Sequence, residues 1–559
     1  MKAFVILSLL PFAVSAAERS FSIVTCGGVP RMAVDGVPCV GTAAMPSPKV
    51  APGKSVAALA DFDRQGVRFY SDIWMMNDRR YLPRVWWRGE GDYDFGTFDA
   101  LVKGLLDATP DGFVFPRIKL DPPESWIAAH PEEMFAGTVR PESAAWRTLY
   151  RRMLRDMVAH VESAPYADRI AGYHLGALHC GEWVFHGGDY QLSLPSDPAA
   201  RRIRSREITR NVAEAVVDAA RFLRGLTHGR KLIGSFFGYA SYAHEDLFTV
   251  LESKSVDFFA APPHYREIRE IGHSGRSQAY YQASYRLHGS VYYEESDFRT
   301  FLSDPTCSFA PATRMRPLGE SLAIMRRSIG KCLAGGWENW WFLLGGNATF
   351  SHPDMLATVR TGVEEQRRSL HTAWTPADVA VFTSPNEFAT SVGAPDLDLR
   401  TALKVRMQTE TLPSCGVTFD SYVLEDIADP HLPEYSVYFF PNAFTLTPAL
   451  KAAIEKRTNG PGKTAIFIRE GEPVPDAAAL REKFRAAGAH VWLDSGDILA
   501  AGRGYLMIHA ASDGEKTIRL PNACDVHEIF GASSDRRNVS AITETLRKGE
   551  TRVYRLMNF

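Results

Sequence analysis

The sequence predicts an α/β protein whose main part is a (β/α)8 barrel, followed by a second, open α/β domain and a small C-terminal β domain. Three observations predict this architecture. Between residues 37 and 346, short apolar runs typical of buried strands alternate with amphipathic helical stretches. A second alternation of the same kind follows, and after residue 500 only short strand-like runs remain. Alternating strands and helices form parallel sheets, and about eight such units close into a barrel.

Eight runs supply the predicted barrel strands. In chain order they are VPCVGTAA, VRFYSDIW, GFVFPRIKL, IAGYHLGAL, KLIGSFFGY, VDFFAAPPHY, GSVYYEESD and GWENWWFLLGG. The helical stretches between them carry apolar residues at three- and four-residue spacing, as in SAAWRTLYRRMLRDMVAHVES and LGESLAIMRRSIGKCLAGG. In the second domain, DVAVFTSPNEF, SVYFFPNAF, KTAIFIREG and AHVWLDSG are predicted strands, and LRTALKVRMQTETL and TPALKAAIEKRT are predicted helices.

These patterns set the domain boundaries. We predict a signal peptide over 1–16, an N-terminal β-hairpin over 17–45, the barrel over 46–375, the second α/β domain over 376–500 and the β domain over 501–559. Asp35-Gly36 is the turn signal in the hairpin region. No internal repeat or low-complexity segment interrupts this order.

The N-terminus indicates export. Lys2 is followed by an apolar stretch from Ala3 to Val14 and by the small-residue cleavage pattern Val14-Ser15-Ala16, which is typical of a secretory signal. No other stretch of about 18 apolar residues occurs, so we expect a soluble, secreted or periplasmic protein without membrane insertion. The formal net charge of -2 argues against nucleic acid as a partner.

The seven cysteines do not form a disulfide framework, because they are scattered and odd in number. Cys26 and Cys39 could still face each other across the hairpin. Residue types that commonly bind metals cluster in and just after predicted strand four: His174, His179, Cys180 and His186. Their spacing does not follow zinc-site patterns, so the sequence predicts no metal and no cofactor.

Acidic residues stand at the ends of two predicted strands. Strand four ends at Glu182, and strand seven ends in Glu294, Glu295 and Asp297. Reacting groups of (β/α)8 barrels sit at the carboxyl ends of the strands, and strands four and seven lie on opposite sides of the mouth. Two carboxylates across a cleft are what glycoside hydrolysis requires, one protonated and one ionised. The pattern therefore favours a glycosidase.

The neighbours of these acids suggest their roles. Trp183 and the apolar strand should desolvate Glu182 and raise its pKa, which suits a general acid. Possible donors around strand seven, such as Arg299, should favour an ionised partner. Strand alternation puts Tyr293 and Glu295 on one face and Glu294 on the other, so we choose Glu295 and keep Glu294 as the alternative nucleophile.

Aromatic residues and one arginine complete the candidate substrate-binding set. Tyr265 ends strand six and could donate to the nucleophile, and the Trp pair of strand eight could form the floor of a sugar subsite. The set of substrate-binding candidates is Tyr265, Trp340, Trp341, Trp183 and Arg117.

Several segments resemble the clan A glycoside hydrolases, most of all glycoside hydrolase family 42 and its relatives. They are GEGDYDFGTFDALVKGL, FPRIKLDPPESWIAAHPEEMF, GYHLGALHCGEW and YYEESDFRT. The resemblance implies an amidotransferase-like second domain, a retaining double displacement with Glu182 as acid/base and Glu295 as nucleophile, and a possible homotrimer. One departure stands out, because Gly181 occupies the position where the clan usually has Asn. A divergent sister family therefore fits as well.

The expected activity is that of a secreted retaining exo-glycosidase on β-linked hexosides, β-galactosidase-like. Two alternatives stay open: a β-mannosidase or other β-glycosidase of the same clan, and a non-catalytic carbohydrate-binding protein with a decayed barrel site. A serine hydrolase is disfavoured because no GxSxG motif occurs.

Overall fold

The computed structural model describes residues 19–47, 56–74, 85–185, 193–239, 243–264, 266–304, 316–346, 348–385, 387, 402–469, 471–531 and 534–558. The predicted signal peptide, Tyr265 and His186 lie outside these ranges. Within them, no helix combines the length and the apolar character that crossing a bilayer requires.

The predicted (β/α)8 barrel is confirmed. Parallel pairing runs through eight strand positions and closes, because strand eight pairs with strand one. The barrel strands, numbered one to eight here, are Ala43–Met45; Phe69–Tyr70 continued by Ile73–Trp74; Phe113–Val114 continued by Arg117–Lys119; Gly172–Gly176; Leu232–Ser235; Phe258–Ala261; Val291–Ser296; and Glu338–Phe342.

Helices pack around the outside of this barrel. They are α1 (Leu59–Arg64), α2 (Phe95–Ala108), α3 (Glu124–Ala129), α4 (Ala144–Ser163), α5 (Pro198–Leu226), α6 (Leu247–Glu252), α7 (Gln282–Leu287), α8 (Leu318–Gly335) and α9 (Pro353–Arg368). Side-chain caps begin the two longest: Ser143 accepts from the backbone N–H of Trp146 in α4, and Asp197 accepts from that of Ala200 in α5. Two small antiparallel ribbons, Trp87–Gly89 with Asp92–Tyr93 and Met134–Phe135 with Thr138–Val139, decorate the loops.

The N-terminal segment is a three-stranded antiparallel sheet, Phe21–Cys26, Val29–Val34 and Val37–Pro38, rather than a single hairpin. Its first turn is at Gly27-Gly28, and Asp35-Gly36 forms the second. Cys26 and Cys39 are free thiols, so the bridge considered between them does not form.

The second domain is an open parallel sheet in the order Phe419–Val423, Val379–Thr383, Val437–Phe440, Thr464–Phe467. Helical segments over Ala402–Thr411, α10 (Leu412–Ser414), α11 (Pro448–Thr458) and α12 (Ala477–Ala486) accompany it. Residues 489–496 were expected to add a strand but form none. Trp492 and Leu493 pack instead into the core of the β domain, which explains their apolar pattern.

The β domain is a five-stranded antiparallel sheet in the order Ile498–Gly502, Tyr505–His509, Thr551–Met557, Gly514–Glu528, Arg536–Leu546. It docks directly on the barrel through helix α8. Met507 and Val553 belong to the barrel's hydrophobic core cluster, and a Cβ on Gly330 of α8 would lie 2.5 Å from the side chain of Met507. This close approach requires glycine at that helix position.

Candidate active site

The interior of the barrel is filled by aromatic rings. Phe115, His174, Phe236 and Trp340 contact one another with ring centroids 4.6–5.8 Å apart. Tyr293 packs on Trp340 from the next strand, at 5.4 Å. The chemistry that the sequence predicts must therefore take place above this aromatic floor, at the carboxyl ends of the strands.

Glu182 stands on a tight turn directly after barrel strand four. Leu178, Cys180, Gly181 and Trp183 all have left-handed backbone conformations, with φ of +62°, +58°, +68° and +59°. Three of the four are not glycine, and such residues cost free energy that the surrounding structure must offset. Strain of this kind is typical of functional sites, and here it surrounds one carboxylate.

Side chains from barrel strand three hold this turn in place. Arg117 donates to the carbonyl oxygens of Cys180 and Gly181 at 3.2 and 3.0 Å, and Asp121 accepts from the backbone N–H of Leu178 at 3.0 Å. Gly176 permits the close approach, since a Cβ there would lie 2.3 Å from the carbonyl oxygen of Gly181. The turn thus depends on an arginine and an aspartate at the end of strand three and on a glycine at the end of strand four.

Arg117 also connects the two predicted acids. Its guanidinium lies 3.7 Å from the carboxylate of Glu182 and 4.3 Å from the ring centre of Phe236, and the residue is 3% exposed. The charge of Arg117 lowers the pKa of Glu295, and the charge of Glu182 raises it. Glu182 and Glu295 therefore lie within electrostatic reach of each other across the mouth.

The pKa of Glu295 is raised well above its ordinary value. Burial is the main cause, followed by the negative charges of Asp297 and Glu182. The sequence-based expectation was the reverse, that donors near strand seven would favour the anion. It was wrong because burial outweighs the positive charges of Arg117 and Arg269, and Arg299 donates to the backbone carbonyl of Asp297. Burial thus favours the protonated form of the strand-seven acid.

Glu294 faces away from the mouth, as strand alternation predicts. Its carboxylate forms an ion pair of 2.7 Å with Lys331 and accepts from Ser328 at 3.3 Å, and both partners belong to helix α8. Tyr293 and Glu295 share the inner face. Glu294 is therefore committed to the layer between the barrel and its helices, and the geometry favours Glu295 at the site.

Sequence analysis missed one member of this group, Arg269. It lies just after strand six and forms an ion pair of 2.5 Å with Asp297, and it donates to the carbonyl oxygens of Pro263 and His264. Its positive charge lowers the pKa of Glu295. The signal available in the sequence was a basic residue four positions after Tyr265 at a strand end.

The predicted aromatic residues separate into different layers. Trp340 faces inward, and its backbone is in register with Glu295 on the neighbouring strand. Trp341 points the other way and packs on Phe350 at 5.5 Å. Trp183 is fully buried, donates through Nε1 to the carbonyl of Leu175 and packs near Trp146. Trp341 and Trp183 are thus packing residues, and the Glu182 side chain is 27% exposed.

Gly181 has room for a side chain. The atoms nearest to a Cβ there would be Lys119 Cγ at 3.6 Å and Arg117 Nη2 and Lys119 Cδ at 3.8 Å, which are ordinary contacts. The side chain missing at this position would therefore project beside two cations of the site. Tyr265, the remaining candidate, lies outside the described residues.

Comparison with known proteins supports the fold. No protein-family model and no curated protein matches this sequence. Among solved structures, a β-galactosidase from Bacillus circulans sp. alkalophilus superposes with a TM-score of 0.61 at 10% identity, covering 93% of this chain and 98% of that one. An α-L-fucosidase isoenzyme 2 from Paenibacillus thiaminolyticus covers 91% of this chain and 71% of that one at 10% identity, with a TM-score of 0.44. The fold of this chain is thus similar over nearly its whole length to that of the β-galactosidase structure.

Proposed function

We propose that this protein is a retaining glycoside hydrolase that cleaves β-linked hexosides from the ends of oligosaccharides. Glu182 is its acid/base and Glu295 its nucleophile. The observation that carries the proposal is the placement of these two carboxyls, one on a strained turn after strand four and one in strand seven, close enough for the charge of one to raise the pKa of the other.

The two carboxyls differ in their access to solvent. Glu182 is reachable from solvent and can protonate a leaving-group oxygen and later take a proton from water. Glu295 is 5% exposed, in register with Trp340, and so sits where the ring of a bound sugar would meet the floor of the site. Attack by Glu295 would give a covalent glycosyl-enzyme, which water hydrolyses with Glu182 as base.

The sugar is proposed by analogy. The solved structure that superposes with a TM-score of 0.61 is named as a β-galactosidase, so a β-galactoside is the first substrate to test and a β-mannoside the second. Export through residues 1–16 and assembly into a homotrimer are further parts of the proposal, which rest on the signal pattern and on the family resemblance.

A panel of nitrophenyl β-glycosides tests the activity, and proton NMR of the first-formed anomer tests retention. Glu182→Gln should lower turnover of 4-nitrophenyl glycosides by about 10²–10⁴-fold, the usual contribution of a general acid. It should act much less on the glycosylation step of 2,4-dinitrophenyl glycosides, whose leaving group needs no proton. Glu124→Gln, which changes an exposed acid of helix α3, is the matched control.

Azide separates the two roles. It should accelerate Glu182→Gln by replacing water and give the β-glycosyl azide, whereas with Glu295→Ala it should give the α-glycosyl azide. A protein that binds sugars while neither wild type nor variants turn over any glycoside would instead be the carbohydrate-binding alternative.

A further inference from the structure

A second cavity lies apart from the barrel mouth, where the three domains meet. It has a volume of about 530 Å³ and is lined from helices α7 and α8, from the segment 372–378 that links the barrel to the second domain, and from both C-terminal domains. This is in the range of small-molecule sites, and junctions between domains are where such sites often occur. None of the residues discussed at the barrel mouth lines it.

The lining carries more positive than negative charge. Four cations, Arg276, Arg286, Lys331 and Arg503, face two carboxylates, Asp378 and Asp420. Lys331 is paired with Glu294 behind the wall, and Arg286 is paired with Asp420 at 2.8 Å. Neither of the other two guanidiniums forms an ion pair with a described carboxylate, so the cavity has an excess of buried positive charge.

Arg276 is the more informative of these two. It is 9% exposed, and its Nη2 donates only to the neutral acceptors Gln282 Oε1 and Ser421 Oγ, at 3.0 and 3.2 Å. Its Nε is buried with no acceptor among the described residues. Burial lowers the pKa of Arg276 to about 10. A buried guanidinium held by neutral groups is costly unless an anion accompanies it.

Aromatic residues supply the rest of the lining. Trp337 is half-buried, and its Nε1 has no acceptor among the described residues. Trp374 is also half-buried, with the guanidinium of Arg286 3.8 Å from its ring centre. Indole faces beside polar groups are surfaces on which sugar rings pack, and an indole N–H needs an oxygen acceptor.

We propose that this junction cavity binds a monosaccharide acid, with its carboxylate on Arg276 and its ring against Trp337 and Trp374. The site is independent of the proposed catalytic one. Because three domains contribute to its wall, an occupied cavity stabilises their arrangement, and binding raises the melting temperature of the whole chain by mass action.

Isothermal titration calorimetry and thermal shift with sodium D-glucuronate test the proposal, on wild type and on Glu182→Gln, which should bind alike. D-glucose, which lacks the carboxylate, and acetate, which lacks the ring, should bind at least tenfold more weakly. Arg276→Gln should weaken glucuronate binding by about tenfold or more, as loss of a charged hydrogen-bond donor does. Trp337→Phe, which keeps a six-membered aromatic ring but removes the N–H together with the five-membered ring of the indole, should weaken it about threefold to tenfold.

Arg221→Gln, on the exposed face of helix α5, is the matched control and should bind as wild type does. If Arg276→Gln fails to fold, Trp337→Phe decides alone. The proposal is overturned if wild type does not bind glucuronate at millimolar concentration, or if glucose binds as tightly. It is equally overturned if Arg276→Gln and Trp337→Phe bind glucuronate as tightly as wild type, because the ligand then occupies another place such as the barrel mouth.

Discussion

Glu294 and Glu295 are neighbours in barrel strand seven but face opposite layers, so replacing each by glutamine should separate stability from catalysis. Glu294 is paired with Lys331 of helix α8, whereas Glu295 faces the mouth with Glu182 and Asp297. The two substitutions are chemically identical and adjacent. Any difference between them therefore reports the direction in which each carboxyl points.

For Glu294→Gln the cost is structural. The Glu294 and Lys331 side chains are 2% and 8% exposed, and removing one partner of a buried pair typically costs about 3–5 kcal/mol. The lower part of that range is expected, because burial already lowers the pKa of Lys331 and the amine can lose its proton. Turnover per folded molecule should stay within about threefold of wild type, since the variant leaves the inner face intact.

Glu295→Gln should have the opposite effects on stability and turnover. Because the pKa of Glu295 is raised on folding, the folded protein retains this proton at a pH where the unfolded chain has lost it. The free energy of unfolding therefore falls as pH rises above the unfolded carboxyl pKa of about 4.3. A glutamine side chain does not ionise, so it contributes no such loss of stability as pH rises. The variant should be more stable than wild type at pH 8, equally stable at pH 4, and slower by on the order of 10⁴-fold or more.

Calorimetric melting at pH 4, 6 and 8, with turnover normalised to folded protein, measures both effects. The reasoning would be refuted if Glu294→Gln lost as much turnover per folded molecule as Glu295→Gln. It would equally be refuted if Glu295→Gln melted below wild type at pH 8.

Three further substitutions test the rest of the site. Asp297→Asn removes a charge that raises the pKa of Glu295, so the acidic limb of the kcat/KM profile should move to lower pH, and a limb that stays or rises contradicts the assignment. Gly181→Asn should fold with a loss of about 1 kcal/mol or less, since Asn tolerates φ of +68° and meets only ordinary contacts, and it should lower KM for glycosides that retain the 2-hydroxyl. Arg117→Lys keeps the charge but loses the planar guanidinium that lies over Phe236 and directs Nη2 at the Cys180 and Gly181 carbonyls, so it should lose about 1.5–3 kcal/mol of stability by calorimetry and reduce kcat more than Arg221→Gln does.

The order of strands and helices was predictable because it depends on local periodicity, and the inward face of Glu295 was predictable because side chains alternate along a strand. The same alternation means that Trp340 and Trp341, which are adjacent in one strand, cannot both face a sugar subsite. The sequence-based prediction did not take this into account. Residues 489–496 show the limit of periodicity, because an apolar pattern reports burial and not the partner. Trp492 is buried against the β domain without pairing as a strand.

The charge balance of the site was not predictable, because it depends on contacts between distant strand ends. Arg299, two residues from Asp297, donates to that residue's backbone carbonyl, while Arg269, 28 positions upstream of Asp297, pairs with its carboxylate. A neighbour in sequence was a poor guide to a neighbour in space. Burial of Glu295 then decides the direction of its pKa shift. This burial results from the closed barrel rather than from the residues that are adjacent in sequence.

A raised pKa at Glu295 is compatible with a nucleophile once the charged groups are treated together. Glu182, Glu295 and Asp297 share the mouth with Arg117 and Arg269, so with all five ionised the acids exceed the guanidiniums by one charge. One bound proton would make the group neutral, and burial of Glu295 favours its protonated form. A sugar with positive charge developing at its anomeric carbon favours the ionised form of Glu295. In the proposed reaction the proton then belongs to Glu182, beside the leaving group, which is the distribution that retaining hydrolysis requires.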